Sequence, residues 1–203
     1  NILITGSSGI LGKYLVKKLN KTYNIICISR DQKFKHGKLN LNCDLSNENQ
    51  VNNKLYQIKK KFKKIDAIIL CAGKSKKNYG NIENLKSWKN SFDNNFFSTT
   101  NIIESYINNF KYQKTKIIAI SSIAGSKILA DAPITYSVAK SALNYYVKFK
   151  SKELAKYKIC INTISPGNIM MNENNWHKNK KKNKKKVLNY IGKNVPLNNF
   201  CLP

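Results

Sequence analysis

Apolar residues along this chain fall into two rhythms that alternate from one end to the other. Short unbroken runs at Ile2–Thr5, Asn24–Ser29, Ile65–Cys71, Lys116–Ser121 and Lys158–Ile164 are rich in isoleucine. Runs of that length predict strands buried on both faces of a sheet. Lys38–Cys43 alternates instead and predicts a half-buried strand. Between the strands, apolar positions recur every three or four residues. Ile10, Leu11, Tyr14, Leu15 and Leu19 mark one helix; Val51, Leu55, Ile58 and Phe62 mark another within Glu48–Phe62. Residues 84–110 predict one long helix or two consecutive ones, and Ile134–Tyr157 a further long helix. This alternation predicts an α/β fold with a parallel sheet between layers of helices.

The first strand runs into T5-G-S-S-G-I-L-G12, which opens the first helix. Glycines in that setting let the backbone turn tightly and approach a phosphate, and the helix N-terminus supplies free N–H groups. Gly6, Ser8, Gly9, Ile10, Leu11 and Gly12 are therefore candidate dinucleotide-binding residues, and the fold narrows to a Rossmann-type doubly wound sheet, three-layer α/β/α. A helix cap with an ordinary turn is the alternative. The second strand ends at Ser29-Arg30, about 20 residues beyond the glycines, where an acid selects NAD and an arginine selects NADP. Arg30 points to NADP, with NAD as the alternative because Asp31 is adjacent.

The charge changes this picture little. The chain has 203 residues, 37 of them basic and 10 acidic, for a net charge of +27. All the basic residues except Arg30 are lysines, and Asn and Ile are abundant too. That skew follows AT-rich codons, whereas bidentate phosphate and guanine contacts favour arginine. No specific nucleic-acid partner is expected. The lysine-dense stretch 176–193 reads as a solvated helical face. No apolar run is long enough to span a membrane, and the first residues lack a signal-peptide pattern. Five widely spaced cysteines, four in or beside apolar runs, suit buried free thiols and a cytoplasmic location. With two histidines and no CxxC pair, no metal site is expected.

Further motifs follow in order: CDLS at 43–46, CAG at 71–73, FDNNF at 92–96, ISSIAG at 120–125, YSVAK at 136–140 and SPGNI at 165–169. Together with the glycine turn they resemble the short-chain dehydrogenase/reductase family over essentially the whole chain. The resemblance implies an NADP-dependent oxidoreductase that reduces a carbonyl to an alcohol. The 3-oxoacyl-carrier-protein reductases are the closest-looking substrate class, so the expected substrate is a small-molecule or acyl-carrier-linked carbonyl. It implies Asn95, Ser122, Tyr136 and Lys140 as catalytic residues. It adds Asp44 and Leu45 beside adenine, Cys71, Ala72 and Gly73 after the fourth strand, and Pro166, Gly167 and Ile169 beside nicotinamide. Tyr136 and Lys140, four residues apart, share a helical face. The ammonium is expected to lower the phenol from its ordinary value near ~10. Tyr136 would then donate the proton, Ser122 would hydrogen-bond the carbonyl oxygen, and Asn95 would hold a water that links Lys140 to solvent.

Taken singly, each of these residues has an ordinary alternative: a packing tyrosine, a surface lysine, a turn-capping serine, one asparagine among many. The sequence also departs from the family. Ile10 stands where the short reductases have glycine, and Met171 stands where they have threonine. Ser122 precedes Tyr136 by one residue more than is usual. The glycines at 6, 9 and 12 resemble instead a sugar-nucleotide-modifying branch (epimerase, dehydratase or reductase) of surface polysaccharide synthesis. A non-catalytic NADP sensor or nucleic-acid-binding protein is a lesser alternative. Residues 1–203 are expected to form a single NAD(P)-binding domain that lacks its last strand and forms a homo-oligomer when full length. Specificity is expected in residues 74–83, 126–134 and 172–195.

Overall fold

The strand β1 (Ile2–Thr5) is buried at every position, as is β2 (Ile25–Ser29). In the computed structural model, which describes residues 1–31, 35–75, 83–129 and 132–203, both are inner strands of a six-stranded sheet. The others are β3 (Leu39–Asn42), β4 (Ala67–Leu70), β5 (Lys116–Ile120) and β6 (Cys160–Ile164). All pair in parallel in the order β3-β2-β1-β4-β5-β6. This is a Rossmann order, and it bears out the doubly wound parallel sheet expected from the sequence. The chain reverses its direction of winding between β1 and β4. A crevice at the carboxyl ends of these two strands is where ligands bind in such sheets.

The pleat explains the layers. Leu3, Ile26, Ile28, Ile68 and Leu70 point to one face, where they meet Val51, Leu55 and Ile58 of α2 (Glu48–Lys61). Ile102, Ile103 and Tyr106 of α4 (Ser98–Phe110) and Leu143, Val147 and Leu154 of α5 (Ile134–Ala155) complete that core. Ile2, Ile4, Ile25 and Cys27 point to the other face and pack with Val16 of α1 (Ile10–Leu19). Each fully buried aliphatic side chain contributes roughly 1.5–3 kcal/mol.

The 84–110 segment is two helices, α3 (Leu85–Phe92) and α4, joined through a π-helical turn at Asp93–Phe97. The turn is lined with aromatic contacts, Phe96 to Phe97 at 5.3 Å and Phe96 to Tyr146 of α5 at 5.9 Å between centroids. Beyond it, α4 and α5 are tied by charge. Tyr146 donates its hydroxyl to Glu104 at 2.6 Å, and Lys150 pairs with Glu104 at 3.0 Å and with Glu153 at 2.9 Å. Glu104 is 48% exposed, so water screens the pairing. Glu104→Gln is expected to cost about 1 kcal/mol, seen as a lower urea midpoint with an unchanged slope.

The described residues divide into two compact units, Asn1–Ser165 and Pro166–Pro203. The second contains α6 (Asn175–Lys182) and α7 (Lys184–Asn194). Trp176 packs against Tyr190 and Phe200 with centroids 5.1 and 5.5 Å apart. Lys178, Lys181, Lys182, Lys184, Lys185 and Lys186 are exposed, as a solvated face requires, but on two helices rather than one.

The cysteines divide differently from the expectation. Cys27 and Cys43 are buried, but Cys160 and Cys201 are exposed free thiols. Cys160 opens β6, the last strand in the sheet order, where every second position faces outward.

Candidate active site

Backbone geometry builds the first wall of the crevice. Gly6 follows β1 with φ +63°, and a Cβ there would lie 2.8 Å from the Ala72 nitrogen and 2.9 Å from the Cys71 carbonyl carbon. Any side chain would push the turn off the end of β4. Gly12 seals the other side, because a Cβ would come 2.2 Å from the Gly6 carbonyl oxygen. Gly9 is the N-cap of α1, with no side-chain capping bond and no acid in the first turn. The free N–H groups and the positive end of the helix suit an anion. The donor set and the glycine cradle fit a dinucleotide pyrophosphate.

The crevice encloses a cavity of about 270 Å³. Of the sequence-named residues, Gly6, Ser8, Gly9, Arg30, Asp44, Leu45, Cys71, Ala72 and Gly73 line it. Ile10, Leu11 and Gly12 do not line it; they start α1 behind the turn, and Ile10 is exposed. Asp44 is held in its own turn, its carboxylate accepting from the Ser46 N–H at 3.1 Å and hydroxyl at 2.8 Å. Asn101 of α4 fixes the same turn by donating to the Leu45 and Ser46 carbonyls at 2.9 and 3.2 Å. Asp93, Asn94 and Ser98 also line the cavity and were not named from sequence. Asp93 and Asn94 belong to the π-helical turn, and Ser98 starts α4 directly after it.

At the opposite end Gly73 sits between two functional groups. A Cβ on it would lie 3.1 Å from Asn95 Oδ1 and 3.3 Å from Lys140 Nζ. Asn95 is fully buried. Its amide donates to the Lys74 and Ser91 carbonyls, both at 2.9 Å, and its oxygen accepts from the Lys74 N–H at 3.0 Å. One lone pair of Oδ1 remains for a water.

Lys140 is 3% exposed and donates to the Ile120 carbonyl at 2.8 Å. Burial pushes its ammonium down to about 8, against a smaller opposing pull from the Cys71 thiol. The same burial pushes the Cys71 thiol up to about 12.

Tyr136 differs from the expectation. Burial holds its phenol above its ordinary value, and a hydrogen bond with Ser122 works the other way as the smaller effect. The physical reason is orientation. Lys140 Nζ is 5.9 Å from the centre of the Tyr136 ring and aims at the Ile120 carbonyl. Desolvation therefore outweighs charge attraction.

Ser122 caps the short 3₁₀ turn Ile123–Gly125, accepting from the Ala124 N–H at 3.2 Å. That turn rests on α5, because Gly125 packs against the Lys140 carbonyl. Asn95, Ser122, Tyr136 and Lys140 are thus brought together by the ends of β4 and β5, the π-helical turn and α5.

Pro166, Gly167 and Ile169 belong to the second unit, where Ile169 forms a parallel bridge with Cys201. Of the segments expected to set specificity, residues 76–82 and 130–131 lie outside the described residues. Among the described residues there is no group of three or more His, Cys, Asp or Glu that could hold a metal. No described helix is long and apolar enough to cross a membrane.

A parallel sheet in this order, with a glycine cradle beside a buried lysine, a tyrosine and a serine, defines a dinucleotide-binding oxidoreductase. Residues 1–183 match the short chain dehydrogenase family. The 3-oxoacyl-[acyl-carrier-protein] reductase FabG of Buchnera aphidicola subsp. Baizongia pistaciae is 30% identical over 180 residues, covering 82% of this chain and 72% of that protein. A short chain dehydrogenase family protein from Francisella tularensis subsp. tularensis superposes with TM-score 0.81 at 28% identity, covering 100% of this chain and 86% of that one. ElxO with NADP bound superposes with TM-score 0.86 at 22% identity, covering 100% and 86%. The chain belongs to the short chain dehydrogenase family, and with it to the nicotinamide-dependent oxidoreductases.

Proposed function

We propose that the chain is an NADP-dependent reductase of a carbonyl carried on an acyl carrier, acting in the cytoplasm, with Asn95, Ser122, Tyr136 and Lys140 as its catalytic set. The observation that carries this reading is the approach of Asn95 and Lys140 to Gly73, one residue past Ala72, which meets the glycine cradle. It sets Lys140 and Asn95 beside Gly73, a residue that lines the same crevice as the glycine turn. Bound NADPH would supply the hydride; Gly6, Ser8, Gly9, Arg30, Asp44, Leu45 and the 71–73 segment would hold it.

The chain's own residues would handle the proton. Tyr136, its phenol held protonated by burial, donates the proton to the carbonyl oxygen as an alcohol forms. Ser122 hydrogen-bonds that oxygen and stabilises the charge that develops on it. Lys140, mostly protonated at neutral pH, stabilises the phenolate left behind, and a water on the free lone pair of Asn95 links it to solvent. Pro166, Gly167 and Ile169 are assigned to the nicotinamide end on the family resemblance.

Arg30 supports NADP because it lines the cavity just past β2 and its guanidinium reaches Asn94, which lines the same cavity. The exposed lysines of α6 and α7 suit an acidic carrier protein. The glycines at 6, 9 and 12 favour a second reading, a nucleotide-sugar substrate.

The test is to follow NADPH and NADH absorbance over a panel of carbonyl compounds that includes a 3-oxoacyl thioester. Oxidation of NADPH with the thioester, at least about tenfold more efficient than with NADH, is the expected result. Turnover of a nucleotide sugar without net cofactor change would favour the second reading, and equal use of both cofactors would remove the role given to Arg30.

A further inference from the structure

The guanidinium of Arg30 is exposed at the end of β2, yet it is held. Its Nη2 donates to Asn94 Oδ1 at 3.2 Å, across the cavity that both residues line. Asn94 is held in turn, since its Nδ2 donates to the Asn90 carbonyl of α3 at 2.6 Å. The backbone of Arg30 is fixed separately, its carbonyl accepting from Asn42 Nδ2 at 2.7 Å. Both ends of the arginine are therefore positioned before anything binds.

We propose that Asn94 is a positioning residue for cofactor choice: it holds the Arg30 fork toward a 2′-phosphate on the adenosine ribose. The inference rests on the NADP reading above and gives it a mechanism. A free arginine side chain would lose rotamer entropy when a phosphate binds, and one already held loses less. The partner's chemistry matters. A neutral amide oxygen orients the guanidinium and leaves its full charge and four further N–H donors for the ligand. A carboxylate there would orient it equally well but cancel the charge. This matters in a cavity that Asp31, Asp44 and Asp93 also line. The π-helical turn makes the arrangement compatible with catalysis, because it lets Asn94 face Arg30 while Asn95 is bonded to Lys74.

The test measures dissociation constants of NADP⁺ and NAD⁺ for the wild type, Arg30→Ala, Asn94→Ala, Asn94→Asp and the Arg30→Ala/Asn94→Ala double variant. Asn94→Ala is expected to weaken NADP⁺ binding roughly tenfold and to leave NAD⁺ within about twofold, as expected of a hydrogen bond to a charged group. Asn94→Asp is expected to weaken NADP⁺ at least as much. In the Arg30→Ala background the Asn94→Ala change is expected to have no further effect on the NADP⁺/NAD⁺ ratio. Loss of the ratio in Arg30→Ala but not in Asn94→Ala would overturn the role of Asn94 and leave the NADP reading standing. A ratio unchanged in Arg30→Ala would overturn both. Equal weakening of the two nucleotides by Asn94→Ala would make the residue a structural support and overturn the proposal.

Discussion

Tyr136→Phe is expected to lower kcat for carbonyl reduction by roughly 100- to 10,000-fold, the range for loss of a positioned general acid. The substitution removes one oxygen from a side chain whose ring stays packed, so dinucleotide binding and thermal stability should barely change. The pH dependence adds a second check. Because burial holds the phenol above its ordinary value, Tyr136 keeps its proton through the neutral range. Reduction by the wild type should weaken first as pH rises past about 8, where Lys140 loses its charge. A Phe variant that retains wild-type kcat, or that loses affinity and turnover together, would show that Tyr136 is not the acid.

Lys140→Met carries the second large effect, on stability. A buried ammonium with its value near 8 costs the folded state free energy at every pH below that. The unfolded lysine titrates near ~10.4, so the shift corresponds to roughly 3 kcal/mol. Losing the hydrogen bond to Ile120 returns about 1 kcal/mol of that. Methionine of similar shape should therefore stabilise the protein at pH 7 by about 2 kcal/mol while it abolishes turnover.

The sign follows from linkage. Between pH 8 and about 10.4 the unfolded chain binds a proton that the folded chain has released, so wild-type stability rises with pH in that window. The advantage of the Met variant should be complete below pH 8, vanish at about pH 9.5 and turn into a deficit of about 1 kcal/mol by about pH 10.4, where the neutral lysine keeps its hydrogen bond to Ile120. Urea titrations of both proteins at several pH values check this. A Met variant less stable at pH 7, or a difference that does not depend on pH, would contradict the cost assigned to burying Lys140.

The sheet was legible because its inner strands are continuous apolar runs, and the crevice because glycines mark the passage from β1 to α1. The motif order anticipated that Asn95, Ser122, Tyr136 and Lys140 lie near one another, while their catalytic roles remain the proposal above. Asp93, Asn94 and Ser98 were not legible. Their place in the cavity depends on a local widening of the helix, and an apolar pattern of period 3.6 gives no sign of it. The polarity of Tyr136 was misjudged for a related reason. Sequence spacing puts the ammonium one turn away, whereas the fold turns it to the Ile120 carbonyl and leaves desolvation to dominate. Cys160 shows the same limit, since an apolar run at a sheet edge faces outward at every second position.

The π-helical turn at Asp93–Phe97 has a consequence for inheritance. A π-helical turn holds about one residue more than an ordinary turn, so loss of one codon from this stretch would restore regular winding and take Asn94 or Asn95 away from the contacts with Arg30 and Lys74. Two neighbouring asparagines with separate duties could not both keep them. Substitutions can be tried at either one, but a change in length here would disturb both contacts, and with them the roles proposed for Arg30 and Asn95, in a single event.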